Sequence, residues 1–240
     1  METTTYIALS RQMVLRRRMD VIANNIANMT GSGFRAEKLL VEQVPVDVGS
    51  RQTINYVQDV AVVRDLTPGG MIPTNNPLDL AIEGGGYFVV GTDEGERYTR
   101  SGQFRLNDLG EITTAAGHSV LDEGGAPLAI PAASGPITVA PDGTVSTPDV
   151  VIGRINVVTF DDGQDLQKAG DGIYRTDQAP IPAPESRIIQ GLLEGSNVRP
   201  VFEMTEMMAT VRAYQGTQKV IDNHHELERR MIERMLEVGG

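Results

Sequence analysis

The chain has 240 residues, no cysteine, no tryptophan and a formal net charge of -11. Without thiols it can build neither a disulfide framework nor a zinc-thiolate site. Its 40% hydrophobic and 22% charged content suits a folded protein of one or two domains, and no run approaches the roughly 18 to 20 apolar residues of a helical membrane span.

The charge is unevenly spread. Residues 1–40 carry six basic side chains against three acidic ones, and the last forty carry five against seven, which leaves the middle at -12. Such an acidic middle argues against nucleic acid as a partner. Arg16, Arg17 and Arg18 read as a solvated helix face whose sign suits the acidic C-terminal segment. The first twenty residues show no apolar stretch followed by a small-residue cleavage site, so a cleaved secretory signal is not expected.

From the N-terminus, Ala8, Gln12, Leu15, Met19, Ile22, Ile26 and Met29 recur at alternating steps of four and three. This spacing predicts a helix over about 3–29 with one seam prepared for coiled-coil-like packing. Thr3 to Thr5 offer a capping start, and Gly31 and Gly33 a stop. Asn24, Asn25 and Asn28 are poor helix formers near the end of that helix. Either their amides satisfy backbone or neighbouring groups, or the helix frays there.

The segment 36–77 alternates weakly, with Val41, Val44, Val46 and Val48 around Pro45, and reads as an extended connection. Pro68, Gly69, Gly70, Pro73 and Pro77 mark its end as a junction. Over 78–190 short apolar runs, among them Tyr87–Val90, Val139–Val145 and Val150–Phe160, alternate with turn signals such as Asn107–Gly110 and Asp142-Gly143. That spacing predicts an antiparallel β domain. Pro180, Pro182 and Pro184 form a second junction.

The final segment, 191–240, carries Met207, Val211, Tyr214, Gln218, Ile221 and His225 at the same four-and-three steps, resumed by Ile232 and Met235. It predicts a helix over about 201–236, with Ser196 and Asn197 as candidate caps and Pro200 in the first turn. Gly216 costs about 1 kcal/mol relative to alanine inside a helix, so a close helix-helix approach is expected there. The fold class is therefore α+β, mainly β: an antiparallel central domain flanked by long amphipathic helices that pair as a coiled-coil-like layer. Those helices bury their stripes either on each other or on other chains.

No chemistry is proposed by the residues between. His224 and His225 are adjacent, so they point about 100° apart on a helix and do not chelate one ion from a single face. Asp161–Asp165 lacks the oxygen ligand and glycine that a calcium loop requires. Gly84-Gly85-Gly86 precedes a strand and not a helix, which leaves no helix N-terminus for a phosphate. Acidic pairs such as Asp122/Glu123 sit in turn composition. No catalytic residue, metal ligand or cofactor is expected.

Three stretches carry a resemblance. Val21–Ala36, then Leu78–Val90 with Tyr98–Phe104, then Gly191–Val198 with Glu203-Met204 and Arg212–Tyr214, resemble in order and spacing the signatures of the flagellar rod and hook protein family. Tyr6–Gln12 and the short length look most like its proximal-rod members, with distal-rod or hook-type members the alternative. Gly195 stands where the family more often has a polar residue. The resemblance implies a structural, non-enzymatic subunit of the basal-body rod, exported through the flagellar type III apparatus without signal cleavage and not inserted in a membrane. Its partners would be other rod proteins and copies of itself. The assembly interface would comprise Leu15, Met19, Ile22, Asn24, Asn25, Ile26, Asn28, Met207, Val211, Tyr214, Gly216 and Ile221, with the β domain outside an inner helical layer. A secreted β-domain enzyme or carbohydrate-binding module with a helical stalk is the alternative from another class.

Overall fold

The computed structural model describes residues 2–47, 53–131 and 135–238. The chain divides into two compact units, one formed by residues 1–27, 37–65 and 199–240 and the other by 28–36 and 66–198.

The first unit holds helix α1 (Glu2–Ala27), strands β1 (Glu37–Asp47) and β2 (Thr53–Arg64), and helix α2 (Pro200–Val238). Pro200 opens α2, where a missing N–H costs nothing, and Glu203 places a carboxylate in the first turn, where the helix dipole favours it. The two helices run antiparallel. Arg18 Nη2 reaches Glu206 Oε2 at 2.6 Å and Gln12 Nε2 reaches Gln218 Oε1 at 2.6 Å, so rising numbers in α1 meet falling numbers in α2. The stretch read only as extended chain forms a two-stranded hairpin, registered from Glu37 opposite Arg64 to Asp47 opposite Thr53, with a bulge between Leu40 and Val41. Both strands pack along α1. Val44 and Val46 lie on β1, but their side chains, like Val48 as a whole, fall outside the described residues.

An antiparallel domain cut by so many glycines is expected to consist of short strands and many loops, and the second unit follows that pattern with sixteen short strands and one 3-10 turn (Gly163–Asp165) among the described residues. In chain order the short strands are β3 (Met71–Pro73), β4 (Leu80–Glu83), β5 (Tyr87–Thr92), β6 (Gly95–Thr99), β7 (Phe104–Leu106), β8 (Ile112–Thr114) and β9 (Ser119–Val120). They continue with β10 (Thr138–Val139), β11 (Thr144–Ser146), β12 (Val151–Arg154), β13 (Val157–Thr159), β14 (Gln167–Gly170), β15 (Ile173–Arg175), β16 (Ile181–Pro182), β17 (Arg187–Gln190) and β18 (Leu192–Glu194). All described pairings are antiparallel; the largest sheet has nine strands and runs β14-β15-β6-β5-β9-β8-β7, with β13 bridging β5 and β16. Val139–Val145, expected as one strand, is instead a hairpin in which β10 and β11 flank a turn where Gly143 sits at φ 91°. Only glycine takes that conformation without a Cβ penalty.

Burial follows the period of two. Phe88 and Val90 face one cluster with Leu80, Ile82, Phe104 and Ile112, while Val89 faces another with Tyr98, Phe160 and Tyr174. Because β5 is covered on both faces, it reads as a continuous apolar run. Phe88 and Phe104 meet edge to face with centroids 5.1 Å apart, as Tyr98 and Phe160 do at 4.7 Å.

Candidate assembly site

On α1 the expected seam faces inward. Ala8 and Ile22 are buried, and Leu15, Met19 and Ile26 are half-buried. On α2 the expected stripe is displaced. Met207, Val211, Tyr214 and Ile221 are only half-buried, whereas the most deeply buried positions are Glu203, Thr210 and Thr217, one helical step to the side. These three recur every seven residues, a signal that an apolar count overlooks because the residues are polar. Thr210 and Thr217 donate their hydroxyls to the carbonyls of Glu206 and Ala213 in the preceding turn, which removes the cost of burying them.

Gly216, where a close helix-helix approach is expected, finds no such neighbour among the described residues of the chain itself. A Cβ built on it would meet nothing within 4 Å, and the residue is exposed, so no close helix-helix approach exists there within the chain. The reason is its position: Gly216 lies on the flank of α2, beside and not on the buried line through Thr210 and Thr217.

Asn25 is 1% exposed. Its amide nitrogen donates to Glu37 O at 2.8 Å and its amide oxygen accepts from Glu37 N at 2.9 Å, so the side chain pairs with the first residue of β1 as a neighbouring strand would. The same nitrogen lies 3.3 Å from Glu203 Oε2. Asn24 Nδ2 donates to Glu37 Oε2 at 3.1 Å. Two of the three asparagines therefore fasten α1 to the root of the hairpin. Asn28 belongs to the second unit, where its carbonyl accepts from Gly31 N at 3.0 Å in the turn that ends the helical path.

The second unit has its own knot, which sequence reasoning missed. Glu194 on β18 is 1% exposed and takes Arg35 Nη2 on one oxygen at 2.7 Å and Arg100 Nε on the other at 2.6 Å. Gly69 N adds a bond to Oε1 at 3.0 Å. Arg100 spends its remaining donors on the carbonyls of Ile82, Gly84 and Gly86, which organises the triple-glycine turn, and Arg35 donates to Thr67 O. Burial pulls Arg35 below its ordinary pKa, while Glu194 beside it opposes that shift. Asn197, expected as a helix cap, instead accepts from Ala36 N at 2.7 Å and donates to Thr67 O at 2.8 Å. Gly33, at φ 67°, sits where a Cβ would collide with the backbone of Arg100. Gly195 donates to Gly70 O at 2.8 Å, and its missing side chain leaves room for Ile72.

Arg35, Arg100 and Glu194 each come from a different one of the three signature stretches. What those stretches encode is thus a buried Arg-Glu-Arg knot that ties residues 33–36, 66–70 and 194–198 together. The bonds these three side chains make run to one another and to backbone, which suits holding and not chemistry. Among the described residues, no group of three or more His, Asp or Glu stands together as a metal site requires, and no helix is long and apolar enough to cross a membrane.

Known proteins show the same segments. Residues 6–35 match the family described as flagella basal body rod protein, 81–147 the flagellar hook protein FlgE/F/G D1 domain, and 189–234 the flagellar basal body rod FlgEFG protein C-terminal region. The chain is 43% identical to the flagellar basal-body rod protein FlgF of Caulobacter vibrioides over 98% of both chains. It is 36% identical to FlgF of Salmonella typhimurium over 96% of this chain and 97% of that one. To the rod protein FlgG of Bacillus subtilis it is 28% identical over 95% and 97%. The chain belongs to the FlgF family of flagellar basal-body rod proteins.

Proposed function

We propose that this chain is a structural subunit of the proximal part of the bacterial flagellar rod, built into the tubular drive shaft through its terminal helices. The observation that carries the reading is the unfinished burial of those helices. Along α2, Val201, Phe202, Met204, Met208, Val220, Leu227, Met231 and Met235 remain exposed, as do Tyr6, Leu9 and Met13 on α1. A helix that leaves this much apolar surface in water gains stability when a neighbour covers it. The partners we assign are other rod proteins and further copies of this chain, with Leu15, Met19, Ile22, Asn24, Asn25, Ile26, Asn28, Met207, Val211, Tyr214, Gly216 and Ile221 as the assembly set.

Coiled-coil-like pairing of the helices in an inner layer follows from the same reading. So does delivery by the flagellar type III export apparatus without cleavage of a signal. Torque would then pass between subunits through packed helices. Nothing in the family matches favours the enzyme or carbohydrate-binding alternative.

Complementation tests this directly. In a strain lacking the protein, the full chain should restore swimming and appear in isolated hook–basal bodies. A chain ending at residue 198 should be made, keep its β unit, and do neither; swimming restored by that shortened chain would refute the role of α2.

A further inference from the structure

The line that faces α1, Glu203, Thr210 and Thr217, continues every seven residues through His224 to Met231. Around Met231 the same side of α2 turns apolar and exposed: Leu227 is 58%, Met231 40% and Met235 76% accessible. Steps of four set these three in one stripe. Glu228 stands beside it, its carboxylate 3.4 Å from His224 Nδ1. The surface that binds a helix in the first part of α2 is therefore prolonged into a part where Leu227, Met231 and Met235 are left exposed.

A complementary depression lies elsewhere in the same unit. Ala8 and Arg11 of α1 with Ala213, Gly216 and Val220 of α2 line a shallow, mostly apolar groove of about 360 Å³. Small side chains open it, and Gly216 opens it furthest, at a cost in helix propensity that no contact inside the chain requires. Arg11 is exposed at its edge and has no ion pair among the described residues.

We propose that the Leu227/Met231/Met235 stripe of one copy seats in the Gly216 groove of a second copy, with Arg11 facing Glu228. The two patches differ, so the contact is heterologous and propagates from copy to copy without closing on itself. This deepens the rod-subunit reading and rests on it. Continuity with the α1-binding face, the opposite charges at the rims and the unexplained glycine all select a helix of this kind as the occupant.

The absence of cysteine allows thiols to be placed one at a time. Rods isolated from cells whose only copy carries Gly216→Cys with Met231→Cys, oxidised with copper phenanthroline, should give disulfide-linked multimers about ten-fold above either single-cysteine variant, as held thiols have a high effective concentration. Rods that contain the double variant and give no multimers overturn the proposal. If the double variant does not enter rods, the charge exchange decides: Arg11→Glu and Glu228→Arg should each reduce swimming and restore it when combined, and a combination no better than the single changes overturns it. Absence of the wild-type chain from isolated rods would instead refute the underlying rod assignment.

Discussion

Arg35 Nη2 and Glu194 Oε1 stand 2.7 Å apart in the interior, although 159 positions separate the two residues in the sequence. Glu194→Gln would leave Arg35 and Arg100 side by side without a counter-charge. Breaking a buried pair by removing one partner costs about 3–5 kcal/mol, and urea unfolding of the β unit, followed by tyrosine fluorescence since the chain has no tryptophan, should show a loss of that size. A shift within error would mean that the knot is not formed in solution.

Asn25 replaces a strand neighbour for Glu37. In Asn25→Ala the amide and carbonyl of Glu37 lose their partner, at about 1–3 kcal/mol for the buried groups left unsatisfied. Hydrogen exchange at the Glu37 amide should accelerate sharply in that variant and far less in Asn24→Ala, whose amide donates to the Glu37 carboxylate and not to its backbone. Equal exchange in the two variants would remove Asn25 from this role.

Gly69 and Gly70 are neighbours with opposite tolerance. A Cβ at Gly69 would overlap Gly195 O, whereas one at Gly70 meets nothing within 4 Å, and neither residue has a positive φ. Gly69→Ala should therefore destabilise by about 3 kcal/mol or more, as overpacking against backbone does, while Gly70→Ala should stay within about 1 kcal/mol of the parent. Thermal melting of the two variants compares them directly.

Tyr98 offers a pH test. Burial first, and the nearby Glu96 second, raise its pKa above the ordinary tyrosine value. A folded-state pKa above the unfolded one means stability is intact below the unfolded value, near 10 for a tyrosine, and is lost as pH rises through the folded value. Alkaline stability of the parent should fall more steeply than that of Tyr98→Phe, with the two curves alike at neutral pH.

Much of the architecture was legible because it rests on period. The four-and-three steps of α1 located its buried face, and the turn glycines located the antiparallel unit. The hairpin β1/β2 escaped because Pro45 and scattered valines blur a period of two. On α2 the apolar stripe drew attention away from Glu203, Thr210 and Thr217, whose buried polar atoms find partners only once the chain is folded, the threonines in the preceding turn of α2 and Glu203 in Asn25 of α1. The knot was invisible for a different reason: Arg35, Arg100 and Glu194 lie in separate segments, and a single sequence does not say which charges meet. Gly216 was legible as a cost but not as a surface.

Electron cryomicroscopy of the native basal body tests the central claim most directly. The account predicts this chain in the proximal rod, with α1 and α2 packed against helices of neighbouring subunits along their exposed apolar faces. Density that places the chain outside the rod, or leaves Met204, Met208 and Met231 facing solvent in the assembled shaft, would contradict it.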